Sequence, residues 1–267
     1  MNMTSYFRPI VRTGSPRSQN SIFLAETNYW ISEAEEIKIG EKTKLVSIND
    51  VPDWWKMRWQ KKRSDILGME FGFPKLMGIL NVTPDSFSDG GNHVELDAAL
   101  NQAKFMEENG VDIIDIGGES TRPGAEVITH NQELARVLPP ITGMSRQNLL
   151  ISIDSRHAEV MTRACAAGAA VINDVEGLRR DGALDAAAAS GVPVIIMHMQ
   201  GQPENMQEEP HYNFAPVDIY QFLEERIEVA VAAGISKSRI AIDPGFGFGK
   251  SVIHNLQIVN WLSLFHG

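Results

Sequence analysis

The 267 residues include a single cysteine, Cys165, set in the alanine-rich run Ala164 to Ala170. A disulfide framework and a thiolate metal cage are therefore both excluded within this sequence, and a reducing cytoplasm is the expected setting. No run of about 18 apolar residues occurs, and Arg8, Arg12 and Arg17 are not followed by an apolar stretch, so neither a membrane span nor a signal peptide is expected. Positive charge is scarce: 24 Lys and Arg stand against 34 Asp and Glu, for a formal net charge of −10 and a pI near 5.2. Such a chain repels nucleic acid unless one segment is locally basic, and no nucleic-acid partner is expected. Three further patterns are missing: a glycine-rich phosphate fingerprint opening a helix after the first strand, metal-ligand spacing, and a Ser or Cys with an evident partner His. What remains is ample for a core, because 43% of residues are hydrophobic at a mean hydropathy of −0.16.

Charge divides the chain near Lys75. Residues 1–75 hold 12 Lys and Arg against 9 Asp and Glu, and residues 76–267 hold 12 against 25. The first part also carries four of the five tryptophans, Trp30, Trp54, Trp55 and Trp59. Asp53 to Arg63 reads as a short amphipathic helix bearing Lys56, Arg58, Lys61, Lys62 and Arg63; a nucleic-acid or membrane-surface role is conceivable, but the plainer reading packs the tryptophans on the main domain and solvates the charges. Residues 1–75 are thus expected to be an N-terminal extension without an assigned role.

From Leu76 onward one pattern recurs: an apolar strand-like run, a Gly/Asp/Asn-rich turn, a helix-period segment and a glycine before the next apolar run. The strand-like runs are Leu76 to Leu80, Val111 to Ile116, Leu149 to Ile153, Ala169 to Ile172, Val192 to Met197 and Ile240 to Ile242, and the last helix is expected from about Val252 to Phe265. Near-continuous apolar strands alternating with helices point to a covered parallel sheet. Six units fit in residues 76–267, whereas a closed eight-unit barrel takes about 250 residues. The expected fold is α/β, of the (β/α)8 TIM-barrel type with about six of eight units; a doubly wound open sheet is the competitor.

Polar residues follow each strand: Asn81 with Asp85, the run Gly117 to Gly124, Asp154, Asn173 with Asp174, His198, and Asp243 with Gly245, Gly247 and Gly249. Any one of them could merely cap the next helix, but six in register suit the catalytic mouth of a barrel. Asp154, Asn173 and Asp243 have the hydrogen-bonding inventory for a flat heterocycle with an amino-pyrimidinone edge, since a carboxylate accepts two parallel N–H bonds and an amide donates and accepts side by side. The alternative is a set of structural carboxylates holding loops. Arg122, beside Ser120, Thr121 and Pro123 in GGESTRPG, suits an anionic oxygen. In DPGFGFGK the glycines allow close backbone approach, Lys250 adds a cation, and Phe246 or Phe248 offers a stacking face, without Walker spacing. His198 fits a supporting role as well as a catalytic one. A divalent ion, if used, is expected to be Mg²⁺ brought by a phosphate substrate and held by one or two oxygens such as Asn81 Oδ1.

Together, MGILNVTPDSFSDGG (Met77 to Gly91), GGESTRPGA, ISIDS, INDV, MHMQG and DPGFGFGK, in this order, resemble the dihydropteroate synthase family of folate biosynthesis, from about Lys75 onward. The resemblance implies a (β/α)8 barrel that joins 6-hydroxymethyl-7,8-dihydropterin pyrophosphate to 4-aminobenzoate, releases pyrophosphate with Mg²⁺, is a sulfonamide target and forms a homodimer. It implies that Asp154, Asn173 and Asp243 read the pterin edge, with Met197 against the ring and Gly247 nearby. Asn81 would contact Mg²⁺ and pyrophosphate; Phe87, Thr121, Arg122, Pro123 and Phe248 would form the aminobenzoate side. Asp154, Thr121 and Arg122 are the candidate catalytic residues. The family's seventh strand with its Ser-Arg-Lys turn and its eighth with Arg-Val-His have no counterpart here, so residues 76–267 are expected to form a barrel lacking its last two units, with two unpaired sheet edges. Two other functions compete with the synthase: a non-catalytic pterin binder, and a methyltetrahydrofolate-dependent methyltransferase, against which DSFSDGG and ESTRPGA argue.

Overall fold

A computed structural model describes residues 5–67, 69, 74–82, 92–120, 128–147, 149–203 and 205–267, with the backbone alone for 92–95. The chain forms two compact units, one of Met1–Ser64, His211–Phe222 and Lys250–Gly267, the other of Asp65–Pro210 and Leu223–Gly249.

In the first unit, β1 (Tyr6–Arg12), β2 (Ile22–Phe23) and β4 (Lys44–Ser47) all pair antiparallel with β3 (Trp30–Ile37). Helix α1 (Asp53–Gln60) ends three residues before the expected Arg63 and buries Trp55 and Trp59, one turn apart. Both indoles lie in a core with Tyr6, Phe7, Ile31 and Ile37, completed by Val217, Tyr220 and Leu264 from late in the sequence. Arg58 lies over the faces of Trp54 and Trp55 and donates to the Tyr220 hydroxyl at 3.0 Å, while Lys56 pairs with Asp53. Helix α7 (Val252–Asn260) starts at a capping box between Ser251 and His254, and a 3₁₀ turn, Leu262–His266, replaces the expected continuation to Phe265.

The second unit holds β5 (Met77–Asn81), α2 (Asn92–Glu108), β6 (Ile113–Gly117), α3 (His130–Ser145), β7 (Ile151–Asp154), α4 (Ala158–Ala167), β8 (Val171–Asp174), α5 (Ala183–Ser190), β9 (Val194–Met197) and β10 (Ile240–Asp243). Between the last two strands runs α6 (Ala215–Ala232), which enters this unit at Leu223. The six strands are parallel and adjacent in sequence order, β5 to β10. A doubly wound sheet would reverse direction at a switch point; this order never does, and it is the winding of a barrel. Among the described residues β5 and β10 each pair on one side only, and Ile79 is 67% exposed.

Side chains alternate along a strand, so one parity faces one side. Met77, Ile113, Val171, Ile195 and Ala241 line a single apolar cavity of about 160 Å³ with Ile66 and Met69 at the strands' N-terminal ends. Two or four residues further on, the same parity gives Asn81, Asp115, Gly117, Asp154, Asn173, Met197 and Asp243. The polar positions therefore gather at the C-terminal end, where the βα loops begin.

Candidate active site

Backbone pairing builds the site. Asn81 is in register with Gly117, Gly117 with Asp154, and Asp154 with Asn173, while Met197 lies opposite Asp243. Gly117 supplies room: a Cβ there would lie 3.3 Å from Asn81 Oδ1 and 3.6 Å from Asp154 Oδ2, so both oxygens lean over a backbone with no side chain. One layer below, Asn173 Nδ2 donates to Asp115 Oδ2 at 3.0 Å. Asp115 belongs to the constellation, although the residue types after the strands do not point to it. Its signal is a lone charge inside β6, whose five residues are all buried.

Burial raises the Asp115 carboxyl above its usual range, against the pull of Ser152 and Asn173, and Asp243 adds a further upward push. Asp154 keeps some accessible surface yet lies deep among protein atoms. Burial first, then the negative charges of Asp115, Asp174, Glu133 and Glu119, holds it well above the carboxylate range. Two neighbouring acids hold backbone of their own loops. Asp174 accepts the backbone N–H groups of Glu176 and Leu178, both at 2.8 Å, and burial pushes it to about 6. Asp243 Oδ1 accepts Gly245 N–H at 2.7 Å and so also shapes its own loop.

That loop is seated on the one after β9. Gly245, Gly247 and Gly249 all have left-handed φ, and a Cβ at Gly245 or Gly249 would overlap the carbonyl oxygen of His198 or Gln200. Gln207 Nε2 donates to the Gly247 carbonyl. Met197 and Phe248 join Val175, Met199 and Met206 in one apolar cluster. His198 is buried, and its backbone N–H donates to Asp243 O at 3.0 Å. Lys250 is buried in the first unit. Asp85, Phe87, Thr121, Arg122 and Pro123 lie outside the described residues. Ser155 Oγ accepts His157 N–H at 3.1 Å in the turn before α4, and burial raises the Cys165 thiol to about 11.

The description "Pterin binding enzyme" belongs to the family model that matches residues 77–266. The chain is 45% identical over 199 residues to the dihydropteroate synthase of Escherichia coli K12, covering 74% of this chain and 71% of that one, and 46% identical over 198 residues to that of Haemophilus influenzae, covering 74% and 72%. It belongs to the dihydropteroate synthase family. Solved structures of this family superpose on the chain as well. The Yersinia pestis synthase in a sulfonamide drug complex has a TM-score of 0.71 at 49% identity, over 76% of this chain and 74% of that one. The Xanthomonas albilineans synthase with 7,8-dihydropteroate has a TM-score of 0.66 at 45% identity, over 75% and 72%. The six-stranded unit is accordingly part of a TIM barrel, as the sequence pattern predicts.

For Mg²⁺, Asn81 Oδ1 and Asp154 Oδ2 present two hard oxygen donors beside Gly117, a donor set that fits an ion brought in with a phosphate. A second group, Glu119, Glu133 and His157, has ligand-capable atoms within 4.8 Å of one another. There, protein cations already occupy the cluster: both Glu119 oxygens accept from Arg156, and the His157 nitrogens meet Glu133 and Arg180.

Proposed function

We propose that this chain condenses 6-hydroxymethyl-7,8-dihydropterin pyrophosphate with 4-aminobenzoate to give dihydropteroate and pyrophosphate. The observation that carries the reading is the register row Asn81, Gly117, Asp154 and Asn173, with Asp115 beneath it. Asp115, Asp154 and Asn173 offer acceptors and a donor side by side for the pterin's amino-pyrimidinone edge, and Asp243 closes the set. Met197 lies against the ring. Phe87, Thr121, Pro123 and Phe248 form the aminobenzoate side, and Arg122 meets an anionic oxygen. Asn81 would hold Mg²⁺, which would supply positive charge for the departing pyrophosphate.

In the reaction the C–O bond from the pterin methylene to pyrophosphate breaks, the arylamine nitrogen forms a bond to that carbon, and the amine loses a proton. Positive charge grows on the pterin methylene as pyrophosphate departs, and the Asp154 carboxylate stabilises it in a poorly solvated site. The substrate's N–H donors favour the ionised form of Asp154, so binding sets the charge that the reaction uses. Synthase activity is favoured over non-catalytic pterin binding because the matched relatives are synthases by name. No helix among the described residues is long and apolar enough to cross a membrane, in keeping with a cytoplasmic reaction on small molecules. A homodimer completes the proposal and is read by sedimentation. The deciding assay supplies both substrates with Mg²⁺ and follows dihydropteroate and pyrophosphate. Asp154→Asn should lower kcat by about 100-fold or more while weakening pterin binding far less; equal losses would refute its role.

A further inference from the structure

Strand β7 consists of Ile151, Ser152, Ile153 and Asp154, and its serine is as fully buried as the two isoleucines that flank it. Alternation along the strand puts Ser152 on the same face as Asp154, one layer below it. The register gives Ser152 two neighbours on that face, Asp115 on β6 and Val171 on β8. Val171 carries no acceptor in its side chain, so Asp115 is the polar partner that the ladder sets beside the hydroxyl. Ser152 pulls the Asp115 carboxyl downward, yet its Oγ does not reach bonding geometry. Among the described residues of the second unit, the buried side-chain atoms that meet no partner are Asp115 Oδ1, Ser152 Oγ and Glu133 Oε1. The first two belong to residues directly opposite one another, beneath Asp154 and Asn173. A buried hydroxyl without a partner weakens the free fold, and alanine in its place would not. Stability alone therefore gives no reason for a serine here.

We infer that Ser152 is a positioning residue for pterin recognition, its hydroxyl being the donor that fixes Asp115 Oδ1 when the pterin edge is bound. Asn173 Nδ2 already holds the other oxygen at 3.0 Å. Strand β6 lies between β5 and β7, so its backbone N–H groups belong to the ladder and a side chain must supply the second donor. A hydroxyl suits the task because it rotates and takes its direction from the acceptor it meets. With both oxygens held, Asp115 turns its remaining lone pairs toward the ligand's N–H groups in one orientation. Binding thus closes a bond that the free fold leaves open. This inference rests on the synthase reading, through its assignment of the pterin edge to Asp115, Asp154 and Asn173.

The test uses the full chain with Ser152→Ala, Asp115→Ala and the double variant. Urea unfolding is followed without ligand, the Kd for the dihydropterin pyrophosphate by calorimetry, and the KM for 4-aminobenzoate at saturating pterin. Ser152→Ala should unfold at a urea midpoint equal to or above that of wild type, because it removes an unbonded hydroxyl. The same variant should bind the pterin about tenfold more weakly, with the KM for 4-aminobenzoate within about twofold of wild type. In the Asp115→Ala background, Ser152→Ala should weaken binding no further, since the hydroxyl acts through Asp115. If that background fails to fold or binds too weakly to measure, the opposite signs of stability and pterin affinity in Ser152→Ala decide alone. A lower urea midpoint, equal losses for both substrates, or an unchanged pterin Kd would each overturn the inference, while wild-type turnover upheld the synthase reading. A wild type that binds no pterin would overturn that reading and the role of Ser152 with it.

Discussion

Adjacent glycines at the end of β6 should respond oppositely to alanine. Neither requires a left-handed backbone, so the difference lies in what the new methyl meets. At Gly118 it would lie 2.8 Å from Val137 Cγ1, 3.1 Å from Glu133 Cγ and 3.2 Å from the Glu133 carbonyl, and Val137 is wholly buried on α3. Overpacking of this kind costs about 1–3 kcal/mol, and the entropy removed from the unfolded chain returns about 0.4–1 kcal/mol, leaving a net loss of about 1–2 kcal/mol. At Gly117 the nearest atoms are Asn81 Oδ1 at 3.3 Å and Asp154 Oδ2 at 3.6 Å, close to ordinary contact, and stability should stay within about 0.5 kcal/mol of wild type. That methyl nevertheless stands between two polar groups that the proposed function assigns to the ligands. Losing one charge-assisted hydrogen bond, about 1.5–3 kcal/mol, weakens pterin binding by roughly 10- to 150-fold. Urea denaturation and calorimetric titration with the dihydropterin pyrophosphate read the two effects separately. If Gly117→Ala binds pterin like wild type, or is destabilised as much as Gly118→Ala, the placement of the site around Gly117 is wrong.

Three other outcomes are expected. Asp174 has an unfolded value near 3.8 and is pushed to about 6 in the fold, so its protonated form favours the native state; that contribution, of order 3 kcal/mol, is present below pH 3.8 and is lost as pH rises through about 6. Asp174→Asn should flatten stability against pH over this window in urea titrations, and an unchanged slope would contradict the assignment. Because Asp154 sits well above the carboxylate range and the pterin edge favours its ionised form, pterin binding should release a proton, seen as a buffer-dependent heat in calorimetry and abolished in Asp154→Asn. Trp55, wholly buried against Phe7, Trp59 and Tyr220, should cost about 3–5 kcal/mol when replaced by alanine; a loss below about 1 kcal/mol in fluorescence-monitored unfolding would contradict its central place in the first unit.

The strands of the second unit were legible because parallel strands covered on their outside are short apolar runs, and glycines such as Gly110, Gly168 and Gly234 close the helices between them. Helix α3 was not, since Pro139 and Pro140 inside it forbid two backbone hydrogen bonds. Its start is nonetheless written in the capping box of Thr129 and Gln132, and Thr142 Oγ1 donates to the Leu138 carbonyl within the affected turn. The sheet of the first unit escaped notice for another reason. In β3 the buried residues Trp30, Ile31, Ala34 and Ile37 do not alternate, and β1 shifts register between Pro9 and Val11. Its glutamates pair across the sheet, Arg8 with Glu35 and Arg12 with Glu33. At the site, Asn173 and Asp174 are both polar residues at a strand end. Only strand parity separates them, sending Asn173 to Asp115 across 58 residues and Asp174 back to its own turn.

That parity also divides the labour along each strand. The inward positions of β5, β6, β8, β9 and β10 begin with Met77, Ile113, Val171, Ile195 and Ala241, which share one apolar cavity, and end with Asn81, Gly117, Asn173, Met197 and Asp243. Burial of the first set contributes to folding, whereas the second set carries polar groups of the site beside Asp154, whose ionisation the same burial opposes. Asp115 occupies the layer between them and belongs to both, being buried like the first set and bonded to Asn173 like the second. Such a carboxyl is tolerated because the amide holds one oxygen. Its other oxygen, Oδ1, meets no donor within bonding distance among the described residues, and the proposed function assigns that acceptor to the N–H groups of the pterin edge. A fold optimised only for stability would have placed a valine there; in the function proposed above, the cost of the acid is offset by the ligand it binds.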